Sequence, residues 1–487
     1  MTGQPQRAGQ FFIESLALVN QYQESIDIRE LVQEFRLNES IHNKFCSATF
    51  AIADGIDLIK NYKMTGQEFI RISIKQKEGA PSESEDAVSD FSIDKTFRIF
   101  KIDQLKRPDE RTQTYLIRCV EPRVYTCRRT RLSRVFRGSY DDILENIFVN
   151  YAKIKEEEFD HWEETEPQNI QYISPNWTVG SVIDHCVNHA SVGEDSVWRN
   201  GMFFYQTLNG GFRFKSIDRM FEDEFPIPFS QYPRNASDTD NLDLNAPGGL
   251  NSQIIAFEKP QVFDTLQGTV GGAYASKLEA YDPVRKLSED IIYDMEETYA
   301  RSDKHLSGHP LIHNSKEDGE YLLTTENQVD PSTSPPVTQI DNDLAPNEYY
   351  DALQVGTSNM NHSWDDSTNL DADPLFKGVE SKDNSILERK ALLETLEQHR
   401  ILVTIPLRTD MSVGTIIQLQ LPAAQPASKG DVSDKLNDDR YLITDMAIAG
   451  NPTLGIGEMT LECTKESFAK KVSSIEPLAK VEATASI

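Results

Sequence analysis

His185 and His189 stand four residues apart in Val182-Ile183-Asp184-His185-Cys186-Val187-Asn188-His189. On a helix that spacing sets both imidazoles on one face, as a pair of metal ligands would be. No third ligand is spaced to help, and the Glu of a His-Glu-x-x-His protease is absent, so a polar or partly buried histidine pair is the better account, with a metal site as its alternative. The Gly-Gly pairs at 210–211, 248–249 and 271–272 read as turns: none precedes Lys-Ser/Thr, and none has the Gly-x-Gly-x-x-Gly spacing that cradles a phosphate. A Gly-x-Ser-x-Gly nucleophile elbow is missing. With 78 Asp and Glu, some carboxylate pair always lies at glycosidase distance, so no single pair is informative. Asn-x-Ser/Thr at Asn38, Asn176, Asn235 and Asn361 is expected by chance. These residue types yield no active site, and the expectation is a protein that is not an enzyme and takes no cofactor or metal.

Five cysteines, Cys46, Cys119, Cys127, Cys186 and Cys463, have no paired spacing. They support neither a disulfide framework nor a zinc ribbon, and buried reduced thiols are the expectation. The 487 residues carry a net charge of −29, which argues against a protein that grips nucleic acid, since that needs cations to displace counterions. An acidic wall is compatible with a polyanion sliding past it. Against this background Arg123, Arg128, Arg129, Arg131, Arg134 and Arg137 form a basic patch. It reads either as a subunit contact, centred on Arg128, Arg129, Arg131 and Arg134, or as a solvated face neutralising Glu156-Glu157-Glu158. Length allows about three domains. No apolar run approaches membrane-spanning length, and the first residues lack the pattern of a secretory signal, so cytoplasmic synthesis is expected.

The elements that would hold such residues are organised around a stretch that the chain states twice. After the turn Met64-Thr65-Gly66, the run Phe69-Ile70-Arg71-Ile72-Ser73-Ile74 alternates as a half-buried strand, and Thr96–Ile102 and Thr114–Val120 follow as two more. Near the C-terminus Met411-Ser412-Val413-Gly414 leads into Thr415–Leu421, then Arg440–Thr444 and Glu458–Cys463. The Gly66-to-Cys119 and Gly414-to-Cys463 spans are nearly equal, which predicts two copies of one antiparallel β-module.

Between and before the copies the pattern predicts extended pieces at 26–32 and 34–37 closed by a turn at Asn38-Glu39-Ser40, a strand at 45–53, and a helical turn at 56–62. Residues 77–95 read as a solvated loop. Helices are expected at 139–151 and 177–190, with a hairpin at 202–214, together a compact α+β unit. Residues 231–250 read as a linker, and 254–258 with 268–281 as a strand pair. Helical spacing starts at Glu289, polar sequence fills 300–380, a helix spans 388–398, and the tail from 473 is loose.

Ser40 through Ile74, the Phe97–Val120 hairpin, the Trp177 helix with its aromatic hairpin, and the 388–398 helix feeding Ile401–Cys463 together resemble the central baseplate hub protein of contractile-tailed phages of the T-even type. The resemblance implies a mainly β fold: two related tail-tube-like antiparallel β-modules plus a peripheral α+β domain. The first module would be residues 1–122 and the second 251–283 with 386–472. Residues 123–250 and 284–385 would form the peripheral part, and 473–487 a flexible tail. It further implies a structural homotrimer in the virion tail baseplate of a contractile injection system. Its partners would be the central spike protein, the first tail-tube ring and the surrounding wedge proteins, with DNA passing through unbound. Two similar modules per chain would let three subunits offer six docking positions to a six-fold tube. The rivals are an acidic hydrolase acting on cell-wall polymer and a spike carrying its own β-helix; the sequence lacks the site of the first and the repeats of the second.

Strand alternation assigns the module faces. Ile70, Ile72 and Ile74 in one copy and Ile417, Leu419 and Leu421 in the other should be core. Arg71, Ser73, Gln418 and Gln420 should then face the channel, with an acidic neighbour neutralising Arg71.

Overall fold

The computed structural model describes residues 8–76, 92–166, 170–193, 198–222, 227–231, 250–282, 287–295, 385–421 and 439–466, with the short stretches 316–317, 320–321 and 353–354. Its first part is β1 (Phe12–Val19), β2 (Ser25–Asp27), β3 (Val32–Ser40), β4 (Ser47–Asp54), one helical turn α1 (Leu58–Asn61), β5 (Phe69–Lys75), β6 (Ser92–Lys106) and β7 (Gln113–Val120). β5, β6 and β7 form an antiparallel meander; β7 continues through β4 to β3, and β1 flanks β5. The alternation is what makes these strands: in β4, Ala48, Phe50 and Ile52 go to the core while the residues between them stay half-exposed.

A second unit follows: α2 (Arg123–Arg129), β8 (Arg131–Leu132), β9 (Val135–Gly138), α3 (Tyr140–Ile147), β10 (Phe159–Trp162), β11 (Ile170–Ile173), β12 (Trp177–Thr178), α4 (Val179–His189), β13 (Met202–Gln206), β14 (Phe212–Ser216) and α5 (Ile217–Phe221). α3 starts on a capping box, in which the Ser139 hydroxyl accepts from the Asp142 N–H and the Asp142 carboxylate accepts from the Ser139 N–H. Its apolar face, Ile143, Leu144 and Ile147, meets Val182, Ile183 and Cys186 of α4 in a core separate from that of the large sheet. Phe148 stacks on Phe204 of the hairpin with ring centroids 4.5 Å apart.

β15 (Ile227–Ser230), β16 (Ala256–Gln261), α6 (Thr265–Gly271), β17 (Ala275–Asp282) and β18 (Leu287–Asp294) come next. Three short pieces, β19 (Lys316–Glu317), β20 (Glu320–Tyr321) and β21 (Leu353–Gln354), precede α7 (Ser385–Gln398), β22 (His399–Pro406), β23 (Ile416–Gln420), β24 (Asp439–Asn451) and β25 (Ile456–Lys465). The large sheet has 13 strands among the described residues, in the order β16-β22-β25-β24-β3-β4-β7-β6-β5-β1-β2, with β23 added beside β24 and β15 beside β23. The molecule is therefore mainly antiparallel β, with an α+β unit beside the sheet.

Several expectations are corrected. Asn38-Glu39-Ser40 is not a turn: it continues β3, because its edge pairs with Ala447, Met446 and Asp445 of β24. Ser92–Lys95 belongs to β6, paired with Ile72–Lys75 rather than looped out; the rest of the 77–95 loop lies outside the described residues. The 254–258 and 268–281 segments do not pair. Thr265–Gly271 is a helix entered through Asp264, whose carboxylate accepts from the Gln267 N–H, and β16 pairs β22 instead. The helical spacing from Glu289 falls in a strand, where Ile291 and Ile292 sit opposite Leu278 and Lys277 of β17. β17 and β18 form their own sheet with β21, apart from the large one, whereas β15, grouped by sequence with the peripheral part, joins the large sheet. The expected linker beyond Gln231, most of 300–380 and the tail lie outside the described residues.

Candidate assembly surface

The two copies match strand for strand. β5-β6-β7 and β23-β24-β25 are antiparallel meanders of the same order. Around the shared cysteine they match residue for residue as well, up to a second bulge between Asp103 and Lys106 that β24 lacks. Ile99 faces Cys119 in the first and Ile443 faces Cys463 in the second, and a β-bulge follows each pair, after Ile99 and after Ile443. From those cysteines the ladder continues to Ala48 of β4 in one copy and to Ile401 of β22 in the other. Two residues along, Ile117, Phe50 and Phe35 line up as Leu461, Val403 and Phe257 do. A bulge conserved in place between two parts of one chain is a feature of the fold.

The faces follow from this register. Ile70, Ile72, Ile74, Ile417, Leu419 and Leu421 are all fully buried, and Ile70 pairs across to Phe97 as Ile417 does to Tyr441. On the opposite face Gln418 and Gln420 are exposed, and Arg71 reaches the Asp94 carboxylate at 2.9 Å. The charge-assisted pair is solvent-exposed and raises the Arg71 pKa further, first through the hydrogen bond to Asp94. Ser73 departs from the expected exposure. It is 5% exposed because Glu14 of β1 lies across it, accepting from the Ser73 hydroxyl at 3.2 Å and from Lys75 at 2.7 Å. The outward group at that position is thus the Glu14 carboxylate.

The copies are joined within the chain by β24 and β3. The half of β24 that projects beyond β23 pairs with β3 from Asp445 opposite Ser40 to Gly450 opposite Phe35. Gly450 is required there: a Cβ would come within 2.4 Å of the Phe35 ring. At the same junction Glu39 is buried, its carboxylate accepting from the Leu208 N–H of the hairpin loop and, at 2.6 Å, from the Val413 N–H before β23. One side chain thus touches both modules and the α+β unit. Burial pushes its pKa up to about 7, against the two N–H donors and the nearby Arg213 and Lys95 that favour the anion. Sequence reading missed it, although the signal is present: Phe35, Leu37, Glu39 and Ile41 share one period-2 face, and a carboxylate in an apolar series needs donors.

The basic patch is divided. Arg123 bonds Glu121 and Glu158, so of the three consecutive glutamates only Glu158 is reached by it. Arg128 and Arg129 are exposed in the last turn of α2, Arg131 donates to the Asn176 carbonyl at 3.1 Å, and Arg134 binds the Tyr151 hydroxyl. His185 and His189 do share a face of α4, with ring centroids 4.1 Å apart. His185 stacks on Tyr172 at 4.4 Å, and His189 Nδ1 is hydrogen-bonded to the His185 carbonyl, so both rings serve packing of the α+β unit. Among the described residues no group of three or more His, Cys, Asp and Glu could hold a metal.

No protein-family model matches the chain, and no curated protein matches it. Solved structures do. A tail protein from Neisseria meningitidis MC58 is 9% identical with a TM-score of 0.48, covering 94% of this chain and 97% of that one. The 43 kDa tail protein of prophage MuSo2 from Shewanella oneidensis is 9% identical at 0.45, over 93% and 98%. The prophage tail protein gp18 from Listeria monocytogenes EGD-e is 12% identical at 0.42, over 93% and 96%.

All five cysteines are free and buried, as their scattered spacing led one to expect. Burial raises the pKa of the Cys46, Cys119 and Cys463 thiols well above the ordinary range and that of Cys127 to about 11. No helix among the described residues is long and apolar enough to cross a membrane.

Proposed function

We propose that the chain is the structural hub of a phage tail baseplate: a homotrimeric ring that adapts a three-fold central spike to a six-fold tail tube and lines part of the DNA channel. The observation that carries this reading is the in-register duplication, down to the bulge after Ile99 and after Ile443. A chain holding two equivalent modules converts three subunits into six equivalent positions, which is what a three-fold to six-fold junction demands. In this reading residues 1–122 are the first module and 251–283 with 386–472 the second, except that β17 stands in its own sheet and β15 of the 123–250 segment adds a strand beside β23. Residues 123–250 and 284–385 make up the peripheral part that meets neighbouring baseplate proteins, with Arg128 and Arg129 as its contact cations, and 473–487 is a tail.

The role is structural rather than enzymatic. The protein is made in the host cytoplasm and resides in the virion tail. Arg71, Gln418, Gln420 and the Glu14 carboxylate that covers Ser73 face the channel, where uncharged amides and a carboxylate let a polyanion pass without gripping it. Light scattering on the purified chain, alone and with its spike, tests the reading. A trimer mass and three-fold particle averages are expected; a stable monomer under assembly conditions rejects it.

A further inference from the structure

Arg128, Arg129, Arg131, Arg134 and Arg137 follow one another closely in sequence, and among the described residues none of them reaches a carboxylate; Arg131 and Arg134 donate instead to the Asn176 carbonyl and the Tyr151 hydroxyl. They lie on or beside a two-stranded ribbon of the α+β unit. β9 pairs β11 with Val135 opposite Ile173 and Arg137 opposite Gln171, the Ser174 N–H donates to the Arg134 carbonyl at 3.0 Å, and β8 pairs β12 with Leu132 opposite Trp177. Alternation turns Phe136 and Tyr172 inward, stacked with ring centroids 6.3 Å apart, so Val135, Arg137, Gln171 and Ile173 make up the outer face. The centre of that face is apolar. Val135 is 48% exposed and its cross-strand neighbour Ile173 64%, while Trp177, farther along the ribbon, is 41% exposed with its ring packed against His185 at 5.7 Å. Single exposed apolar residues are ordinary; a directly opposed β-branched pair, with an indole and several arginines on the same ribbon, has the composition of an interface hot spot.

We propose that this ribbon face docks an acidic segment of a different tail protein, one that carries apolar side chains among its carboxylates. The inference rests on the baseplate reading and deepens it, giving the peripheral part a contact surface centred on Val135 and Ile173 and a partner of stated chemistry. Charge decides the sign of that partner. The chain has a net charge of −29, yet of Glu156, Glu157 and Glu158 only Glu158 is engaged by the basic patch, and by Arg123. The other five cations repel one another until an outside anion joins them. The apolar centre decides its kind. Guanidinium groups are planar and weakly hydrated, so they bind carboxylates as a fork beside a surface that loses its water. Arg131 and Arg134 are already held by Asn176 and Tyr151, and less side-chain freedom is lost when they bind. A nucleic acid offers the same charge but gains affinity by stacking its bases on rings. Val135 and Ile173 have no ring to offer, and Trp177 is packed against His185.

The test uses the full chain in assembled tails. Gln171, exposed beside Arg137, is replaced by p-benzoylphenylalanine, the intact tails are irradiated, and the linked peptide is identified by mass spectrometry. The expected product is an Asp/Glu-rich segment with apolar residues from a different tail protein. That segment, synthesised as a peptide, should bind the purified chain. Ile173→Asp or Arg137→Glu should weaken the binding at least tenfold, and Arg137→Lys should weaken it less. Both positions are exposed, so an unchanged thermal transition separates lost docking from lost folding; should a variant unfold, the crosslink in the otherwise native chain still decides. Linkage to DNA, to a second copy of this chain or to nothing overturns the docking surface and leaves the baseplate reading standing, as does a peptide affinity that neither substitution changes. Purified tails that lack the chain overturn both.

Discussion

Glu39 is the residue whose chemistry reaches furthest. Its folded-state pKa, about 7, lies above the ordinary carboxylate value, so between these the folded protein keeps a proton that the unfolded chain has released. Stability from this group is therefore full below about pH 4.5 and is lost as pH rises through 7. A shift of that size corresponds to a loss on the order of 3 kcal/mol. Glu39→Gln removes the titration, so the wild-type and variant stability curves, from urea midpoints at pH 5 and pH 8, should diverge by several tenths of a molar or more. Parallel curves would show that Glu39 titrates alike in both states. The residue also sits in a misreading: Asn38-Glu39-Ser40 has turn composition, yet pairing with Ala447, Met446 and Asp445 keeps its backbone extended while Leu208 and Val413 satisfy the buried carboxylate.

Among the elements, what pattern alone could reveal was local. Alternation in 69–74 and 415–421 located both meanders and their buried faces, since a strand with one apolar face has a single workable register. Helices within 139–151 and 177–190 were legible from apolar spacing, and the structure sets them at Tyr140–Ile147 and Val179–His189, with Trp177–Thr178 a short strand instead. What alternation could not show was which strands meet across the chain. The partner of Ile254–Glu258 lies at 402–404, far along the sequence, and β17 carries no mark that assigns it to a different sheet. Glu14 over Ser73 is likewise a contact between strands that sequence order does not announce. The β24–β3 junction gives this scale its test. Gly450→Ala should destabilise by roughly 1–3 kcal/mol, because the methyl meets Phe35 and Phe11 in a filled core. A denaturant midpoint unchanged by that substitution would mean that the two strands can part without cost.

At the scale of the whole molecule, the five buried thiols are distributed usefully. Cys46 and Cys119 lie in the first module, Cys463 in the second, and Cys127 and Cys186 in the α+β unit. A thiol reacts with an aqueous disulfide reagent only as an exposed thiolate, so each is silent until its surroundings open. The chain therefore carries its own set of clocks, one or two for each part. Labelling at low reagent, followed by mapping of the modified peptides, should show Cys127 and Cys186 reacting together and at a different rate from Cys463. Locking the subunits into a ring should slow Cys119 and Cys463, which sit next to the bulged long strands, more than it slows Cys186. Uniform labelling of all five would instead mean that the molecule opens as one piece, and that its parts share a single lifetime.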